Sequence, residues 1–363
     1  MCFSKRILSV VVLFVMVPMA VFAGEREYKY SVLAPISSGN LTIYPVVSNV
    51  NRNTSAFLTL DEGVRSGSVV ITESGQVAGL VRRPGQRPTH SGAEVNRLVL
   101  LNNSDRPLLL LAGEIVTGGK QDRVIGSDRI VPPHSDPVDL SVFCVEPGRW
   151  VARSDKFSSM GAQMAQPSVR LPAMAKKDQN AVWENVRTSQ RNAVKAAPAA
   201  SPMISTTSSY AGVMQNEEVG RKVESVAAPL RRDYSKLIRE LKQQNAVGVV
   251  VAVDGQLVWA DVFASTELLE NYWPKLIRSY AAEAVTGLPY NGDANQMMAQ
   301  RFINQLGGER EVTETEPGVF RSSEVDGPGY KVFFLASLLP KVEFVVHTAK
   351  MVDASKGGLS PIE

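Results

Sequence analysis

The sequence predicts an α+β fold, with a mainly antiparallel β-sheet in the N-terminal half and helices and β-hairpins in the C-terminal half. Three observations carry this. Short runs rich in Val, Leu and Ile, punctuated by Gly, Asn, Asp and Pro, fill the chain up to about Trp150. Apolar positions at helical spacing gather beyond Lys177. The regular alternation of strand and helix that builds a doubly wound parallel sheet is missing.

Taken in order, the chain opens with Lys5 and Arg6 ahead of an apolar run from Ile7, and Val21 and Ala23 stand where a signal peptidase reads small residues. Residues 1–23 are therefore expected to be a secretory signal peptide cleaved after Ala23. The run contains Pro18 and gives way to GEREYKY, which disfavours a retained anchor of about 20 apolar residues. The expectation is an exported chain, periplasmic or extracellular, with no membrane span in its mature part. Cys2 leaves with the signal, so Cys144 remains alone and no intrachain disulfide forms. Gly24, not a cysteine, follows the cleavage site, which disfavours a lipid anchor. Without Lys5 and Arg6 the 39 basic residues fall to 37 against 36 acidic ones, a net charge of +1. A nearly neutral chain has no general attraction for nucleic acid or anionic lipid.

Strands are expected at 42–47, 68–73, 97–102, 107–116 and 140–146. Thr59 and Glu62 have capping-box spacing and Gly67 can end the turn, so a short helix is expected over 60–65. A longer helix follows over about 177–194. KAAPAASPMISTTSSYAG, residues 195–212, is Ala, Pro, Ser and Thr without periodicity, which reads as a flexible linker or long surface loop. With the boundary drawn at 195–215, a β-rich part spans 24–194 and an α+β part spans 216–363, the two either separate or packed into one domain. In the second part, Val219, Val223, Val226, Leu230, Tyr234, Leu237, Ile238 and Leu241 form one helical stripe, with Pro229 expected to kink or divide it. Asp254-Gly255 joins two strand-like runs as a hairpin. Ser265 caps a helix from Thr266 whose apolar face carries Leu269, Trp273, Leu276, Ile277 and Tyr280. YKVFFLAS and KVEFVVHT make a last hairpin.

The densest chemistry lies in AGEIVTGGKQDR, residues 112–123. Glu114 emerges at the end of a buried apolar run, where desolvation raises a carboxyl pKa and suits it to acid–base work; the alternative is an ion pair that holds the loop. Gly118 and Gly119 permit positive φ and close backbone approach, and Lys120, Gln121 and Arg123 supply donors that suit an anionic or carbonyl-rich ligand. This is not a phosphate-binding Walker loop, because Glu114 and Gln121 stand where glycine and a hydroxyl residue are needed. The bland reading is a hairpin turn with solvated charges.

VFCVEPGRW, residues 142–150, is the second dense stretch. Cys144 shares a strand face with Glu146, and a thiol beside a carboxylate is poorly activated, so Cys144 reads as a small buried hydrophobe. Glu146 is the second candidate acid or base. Arg149 could hold a phosphate and Trp150 stack a base, or both could clasp a sheet edge. His90, His134 and His347 lack metal-ligand spacing, so no metal is assigned, and the sequence leaves any cofactor unknown. A His134–Cys144 base and nucleophile pair requires the fold to bring the two together.

AGEIVTGGKQDR, DRIVPP at 128–133, CVEPGRW at 144–150 and VWENV at 182–186 together resemble the ARG and rhodanese-phosphatase-superfamily-associated domain family. The matching positions are Gly113, Glu114, Gly119, Lys120, Gln121, Arg123, Cys144, Glu146, Gly148, Arg149 and Trp150. The resemblance implies an association with ADP-ribosylglycohydrolases and rhodanese- or phosphatase-like proteins, hence with nucleotide-derived compounds, and carries over no catalytic residue. Two functions compete. In one, the 113–123 loop meets the 146–150 turn in a pocket for a polar or phosphorylated small molecule. In the other, the loop is structural and the chain is a non-catalytic envelope protein that contacts protein partners.

Overall fold

Tyr30–Val32, Ile36–Ser38 and Leu41–Ser48 form strands β1, β2 and β3 of the computed structural model, which describes residues 29–74, 96–240 and 244–353. The signal-peptide reading of residues 1–23 lies outside the described residues, as do His90 and Leu241. β4 (Leu58–Thr59) runs directly into helix α1 (Leu60–Ser66). The Thr59 hydroxyl accepts from the Glu62 amide at 3.3 Å and the Glu62 carboxylate accepts from the Thr59 amide at 2.9 Å, so two orphan donors of the first turn are satisfied reciprocally. Gly67, at φ 73°, ends the helix.

β5 (Val69–Glu73), β6 (Arg97–Asn102), β7 (Leu108–Leu110), β8 (Glu114–Thr117), β9 (Arg123–Ile125), β10 (Arg129–Val131), β11 (Val138–Cys144) and β12 (Ser158–Met164) follow. The apolar run 107–116, expected as one strand, is two. Gly113 turns the chain at φ 95°, its amide donates to the Ile125 carbonyl at 2.9 Å, and the Arg170 side chain lies where a Cβ would stand. β7 leaves for one sheet and β8 for another.

After α2 (Pro167–Leu171) and a π-helical turn over Pro172–Lys176, α3 (Gln179–Ala196) starts on Asp178, whose carboxylate accepts from Asn180 and Ala181. Residues 195–212, expected as a flexible linker or long loop, instead form a 3-10 turn over Pro198–Ala200 and helices α4 (Ser201–Thr206) and α5 (Tyr210–Gln215). Packing overrides composition here: Ala197, Ala200, Ile204, Tyr210, Val213 and Met214 are buried in the main core. The Gln190 amide secures the segment by donating to the Ile204 and Thr207 carbonyls at 2.8 and 2.6 Å. Each helix is too short to display a period.

α6 (Glu217–Glu240) runs through Pro229 as one helix, so of the kink or division expected there the division does not occur. Its stripe of Val219, Val223, Leu230 and Tyr234 is buried, and the Tyr234 ring packs tilted against Trp273 with ring centres 4.3 Å apart. β13 (Ala246–Val253) and β14 (Gln256–Phe263) form the expected hairpin, with Asp254 at φ 47° and Gly255 at φ 74°. Two positive φ angles give the turn whose twist matches that of the strands. α7 (Thr266–Thr286) begins on Ser265, whose hydroxyl accepts from the Leu268 amide at 3.0 Å. α8 (Gln296–Asn304), β15 (Glu309–Glu316), β16 (Phe320–Gly327), β17 (Tyr330–Ser337) and β18 (Phe344–Val352) complete the chain, the last two as the expected antiparallel hairpin.

The fold is α+β. One sheet of nine strands runs β1-β3-β13-β14-β18-β17-β16-β15 with β2 beside β3, a second of six runs β12-β8-β9-β11-β6-β5, and a third of three runs β10-β7-β4. Pairing is antiparallel save for β4 with β7. β3 pairs along its length with β13, so strands from both ends of the chain share the largest sheet. α7 packs against α3, α6, β12 and β13, and Leu269, Tyr272, Trp273, Leu276, Ile277 and Tyr280 are buried in the main core. Each such side chain stabilises the fold by roughly 1.5–3 kcal/mol by leaving water. The Tyr272 hydroxyl donates to the Leu109 carbonyl at 2.9 Å and the Ser279 hydroxyl to the Ala165 carbonyl at 2.6 Å, which ties the helix to the sheets it faces.

Candidate functional site

Glu114 opens β8 and points its carboxylate into the core. One oxygen is 2.6 Å from the Lys275 ammonium of α7, and the other accepts from the Leu111 amide at 2.8 Å. Lys275 also lies 2.7 Å from Asp61 on α1. Burial pushes the Glu114 pKa up against the pull of Lys275, as the sequence suggested. Its partner is a lysine 161 residues away in sequence, and the pair closes the space between helix and sheet.

The β8–β9 turn and the 146–150 turn do meet, and they satisfy one another. Arg149 donates to the carbonyls of Gly119 at 2.8 Å and Val151 at 2.7 Å, and pairs with Glu146 at 2.5 Å. Asp122 donates its amide to Glu146 at 3.1 Å, accepts from the Gly118 amide at 3.2 Å, and receives the Ser209 hydroxyl at 2.8 Å. The Gln121 side chain donates to the Glu146 carbonyl at 3.2 Å. Burial would raise the Glu146 pKa, but the hydrogen bonds from Arg149 and the Asp122 amide and the charges of Arg149 and Arg153 together outweigh it and hold the carboxyl below the usual range. Burial and the Glu146 charge push Asp122 up. Gly118 and Gly119 sit at φ 128° and 48°, so the sequence's expectation of positive φ holds. What approaches closely is protein: a Cβ on Gly119 would stand 2.2 Å from the Phe157 ring and 2.7 Å from Glu73.

The remaining candidates are dispersed. Arg123 is fully buried opposite Cys144 on β11, its Nε and one terminal nitrogen without a hydrogen-bond partner, and burial pushes its guanidinium pKa down. Cys144 is buried with its thiol pKa raised by burial, as a small core residue should be. Lys120 is half-buried, its ammonium 5.0 Å from the ring centre of Trp150, which is 45% exposed. His134 pairs with Asp105 at 2.7 Å on the surface.

Two adjoining cavities lie elsewhere, between β9–β11 and the β15–β17 end of the nine-stranded sheet. Their volumes are about 370 and 170 Å³, and they share Ser127, Ser141 and Glu314. Arg97 and Asp139 pair at 2.9 Å in the wall of the larger one. Arg129, on β10, bridges the cleft to Glu314 at 3.0 Å and to Glu316 at 3.3 Å, so the three- and nine-stranded sheets are clasped there by charge. Ser322, Ser323, Glu324 and Phe333 line the smaller cavity with Lys177. None of Glu114, Gly118, Gly119, Lys120, Gln121, Arg123, Glu146, Arg149 and Trp150 lines either cavity.

A family model, the ARG and Rhodanese-Phosphatase-superfamily-associated Protein domain (ARPP-1), matches residues 29–351. The chain belongs to the ARPP-1 family. Neither the comparison with curated proteins nor that with solved structures gives a match. The ARPP-1 match begins at the first described residue and takes in every strand and helix named above save the last residue of β18.

Beneath the smaller cavity the ARPP-1 fold holds a buried chain of charge that sequence reading missed. Asp128, in the cavity wall, lies 2.5 Å from His347 Nδ1, and His347 Nε2 lies 3.2 Å from Asp261. Arg170 meets Asp261 with two nitrogens at 3.0 and 3.1 Å, and Tyr280 donates to the same carboxylate. Burial alone would lower His347, yet Asp128 and Asp261 outweigh it and raise its pKa to about 9. Arg170 and His347 hold Asp261 far below the usual carboxylate range. With His347 protonated, two cations face two anions and the buried charges balance. The available signal was His347 itself, a lone histidine within the apolar run FVVHTA.

Proposed function

We propose that this ARPP-1 chain is an exported binding protein for a polar small molecule, held in the cleft between the two sheets. The observation that carries this is the pair of adjoining cavities, in which charged and hydroxyl side chains stand beside apolar surface, together within the size range of small-molecule sites. The two candidate acid–base residues, Glu114 and Glu146, are each locked in an ion pair, which supports binding over catalysis. Export rests on the signal-like residues 1–23. The same mutual pairing of Glu146, Asp122 and Arg149 favours a second reading, a non-catalytic envelope protein whose loop is scaffold and whose surface contacts protein partners.

Thermal unfolding against nucleosides, ADP-ribose, sugars, sugar phosphates and peptidoglycan fragments tests the first reading. A ligand at 100 times its Kd stabilises the fold by about 2.7 kcal/mol. Ser141 is exposed on β11, so Ser141→Tyr should fill the cleft, leave the unliganded Tm unchanged and abolish the shift. Silence across the panel would sink the reading and leave the second. A shift lost instead in Lys120→Ala would move the site to the GEIVTGGKQDR loop.

A further inference from the structure

We infer that the cleft takes an uncharged polyhydroxylated ligand, a sugar ring, and selects against the phosphate esters of the same ring. The inference rests on the cleft being the binding site and goes on to name its ligand class.

Five hydroxyl side chains, those of Ser127, Ser141, Ser322, Ser323 and Thr313, stand in the wall of the two cavities. A hydroxyl both donates and accepts, which is what a ring of alcohols requires of its site. Three basic side chains, Arg97, Arg129 and Lys177, stand in the wall against four acidic ones, Asp128, Asp139, Glu314 and Glu324. Both arginines are engaged, Arg97 with Asp139 at 2.9 Å and Arg129 with Glu314 at 3.0 Å. A phosphate would have to displace a carboxylate from its guanidinium and then lie beside it, which is repulsive in a partly desolvated wall. An alcohol meets no such conflict, because it donates to the paired carboxylates and accepts from the paired guanidinium groups without separating them. Phe333, Phe334 and Met174 add an apolar surface to the smaller cavity, suited to the C–H face of a sugar. A wholly apolar ligand would cover the Ser323 hydroxyl without offering it a partner, which is unfavourable.

The sugar could be a free hexose or the ribose of a nucleoside, and the two have the same chemistry here. Titration calorimetry on the purified protein with glucose, N-acetylglucosamine, ribose and adenosine, and with glucose 6-phosphate, ribose 5-phosphate and AMP, separates these sources and tests the class. At least one uncharged ligand is expected to bind, with its phosphate ester weaker by on the order of tenfold. Asp139→Asn, at a half-exposed position, should narrow that gap by removing the repelling charge. Phosphate esters binding as tightly as the parent sugars, with Ser141→Tyr still abolishing the heat, would overturn the ligand class and leave the cleft as the site. No heat from any of the seven, or heat that survives Ser141→Tyr, would overturn both.

Discussion

A methyl group on Gly119 has nowhere to go. Its backbone sits at φ 48°, a left-handed conformation that costs a residue with a Cβ about 1–2 kcal/mol, and the new carbon would meet the Phe157 ring at 2.2 Å. With overpacking adding about 1–3 kcal/mol, Gly119→Ala should lower stability by roughly 2–5 kcal/mol in urea unfolding. An unchanged midpoint would show that the turn is not held by this packing. The double glycine was legible as a place of close approach, and the identity of the approaching group was not, because Phe157 and Glu73 lie tens of residues away on either side. His347 makes a second residue-scale case. Its folded pKa, about 9, exceeds the ordinary 6.5, so in that interval the folded state holds a proton that the unfolded state has released. Its contribution is therefore complete below about pH 6.5 and is lost as pH rises through about 9, an effect of order 3 kcal/mol. Lys350 acts in the opposite sense, since burial pushes it down to about 7 and relieves its cost as pH rises. The clean measurement is accordingly the difference in unfolding free energy between wild type and His347→Gln, expected to be widest near pH 6 and to shrink toward pH 9.5. A pH-independent difference would mean that His347 is uncharged in the fold.

Among the elements, α7 shows what patterning reveals and what it hides. Ser265 and the Leu269, Trp273, Leu276, Ile277, Tyr280 face announced the helix, and all five side chains are buried. Lys275 and Ser279, which stand outside that apolar set, are buried as well, because a second sheet covers their side of the helix. Replacing Lys275 with methionine would leave Glu114 and the largely buried Asp61 without their shared cation. Removing one partner of such a pair costs about 3–5 kcal/mol, and Lys275→Met should lose that much in urea unfolding. Glu114→Gln in the same chain should return part of it, because the uncompensated charge goes with the carboxylate. A double variant no more stable than the single would refute the pairing as the cause. The β15–β16 hairpin was illegible for a different reason: EREVTETE is an edge strand, mostly exposed, with no apolar alternation to betray it. α4 and α5 were illegible because tertiary burial of Ala200, Ile204, Tyr210 and Met214 makes them helical where composition suggested a linker.

At the scale of the whole molecule the fold class could be read from the grouping of strands and helices, whereas the cleft could not. Its wall is drawn from separated stretches around residues 97, 127, 140, 177, 314, 323 and 333, none of them chemically dense by itself. The same long-range assembly bears on how the chain unfolds. β3, from the first part, lies between β1 and β13 in the largest sheet, so detaching either part opens a row of backbone hydrogen bonds. Arg170 and Asp261, both fully buried, join a helix before residue 195 to a strand after residue 215. Glu283 of α7 likewise accepts from the amide and hydroxyl of Ser168 at 2.9 and 2.8 Å. Pulling the parts apart would strand these charges in an apolar surface, at several kcal/mol for each ion. Calorimetry should therefore record one transition, with calorimetric and van't Hoff enthalpies in agreement, despite a length at which two domains are common. Arg170→Met should lower that single Tm without splitting it, because the sheet pairing of β3 with β13 persists. Two resolved transitions in the wild type would mean that the sheet and the buried pairs do not couple the parts, and that the chain divides near residues 195–215 after all.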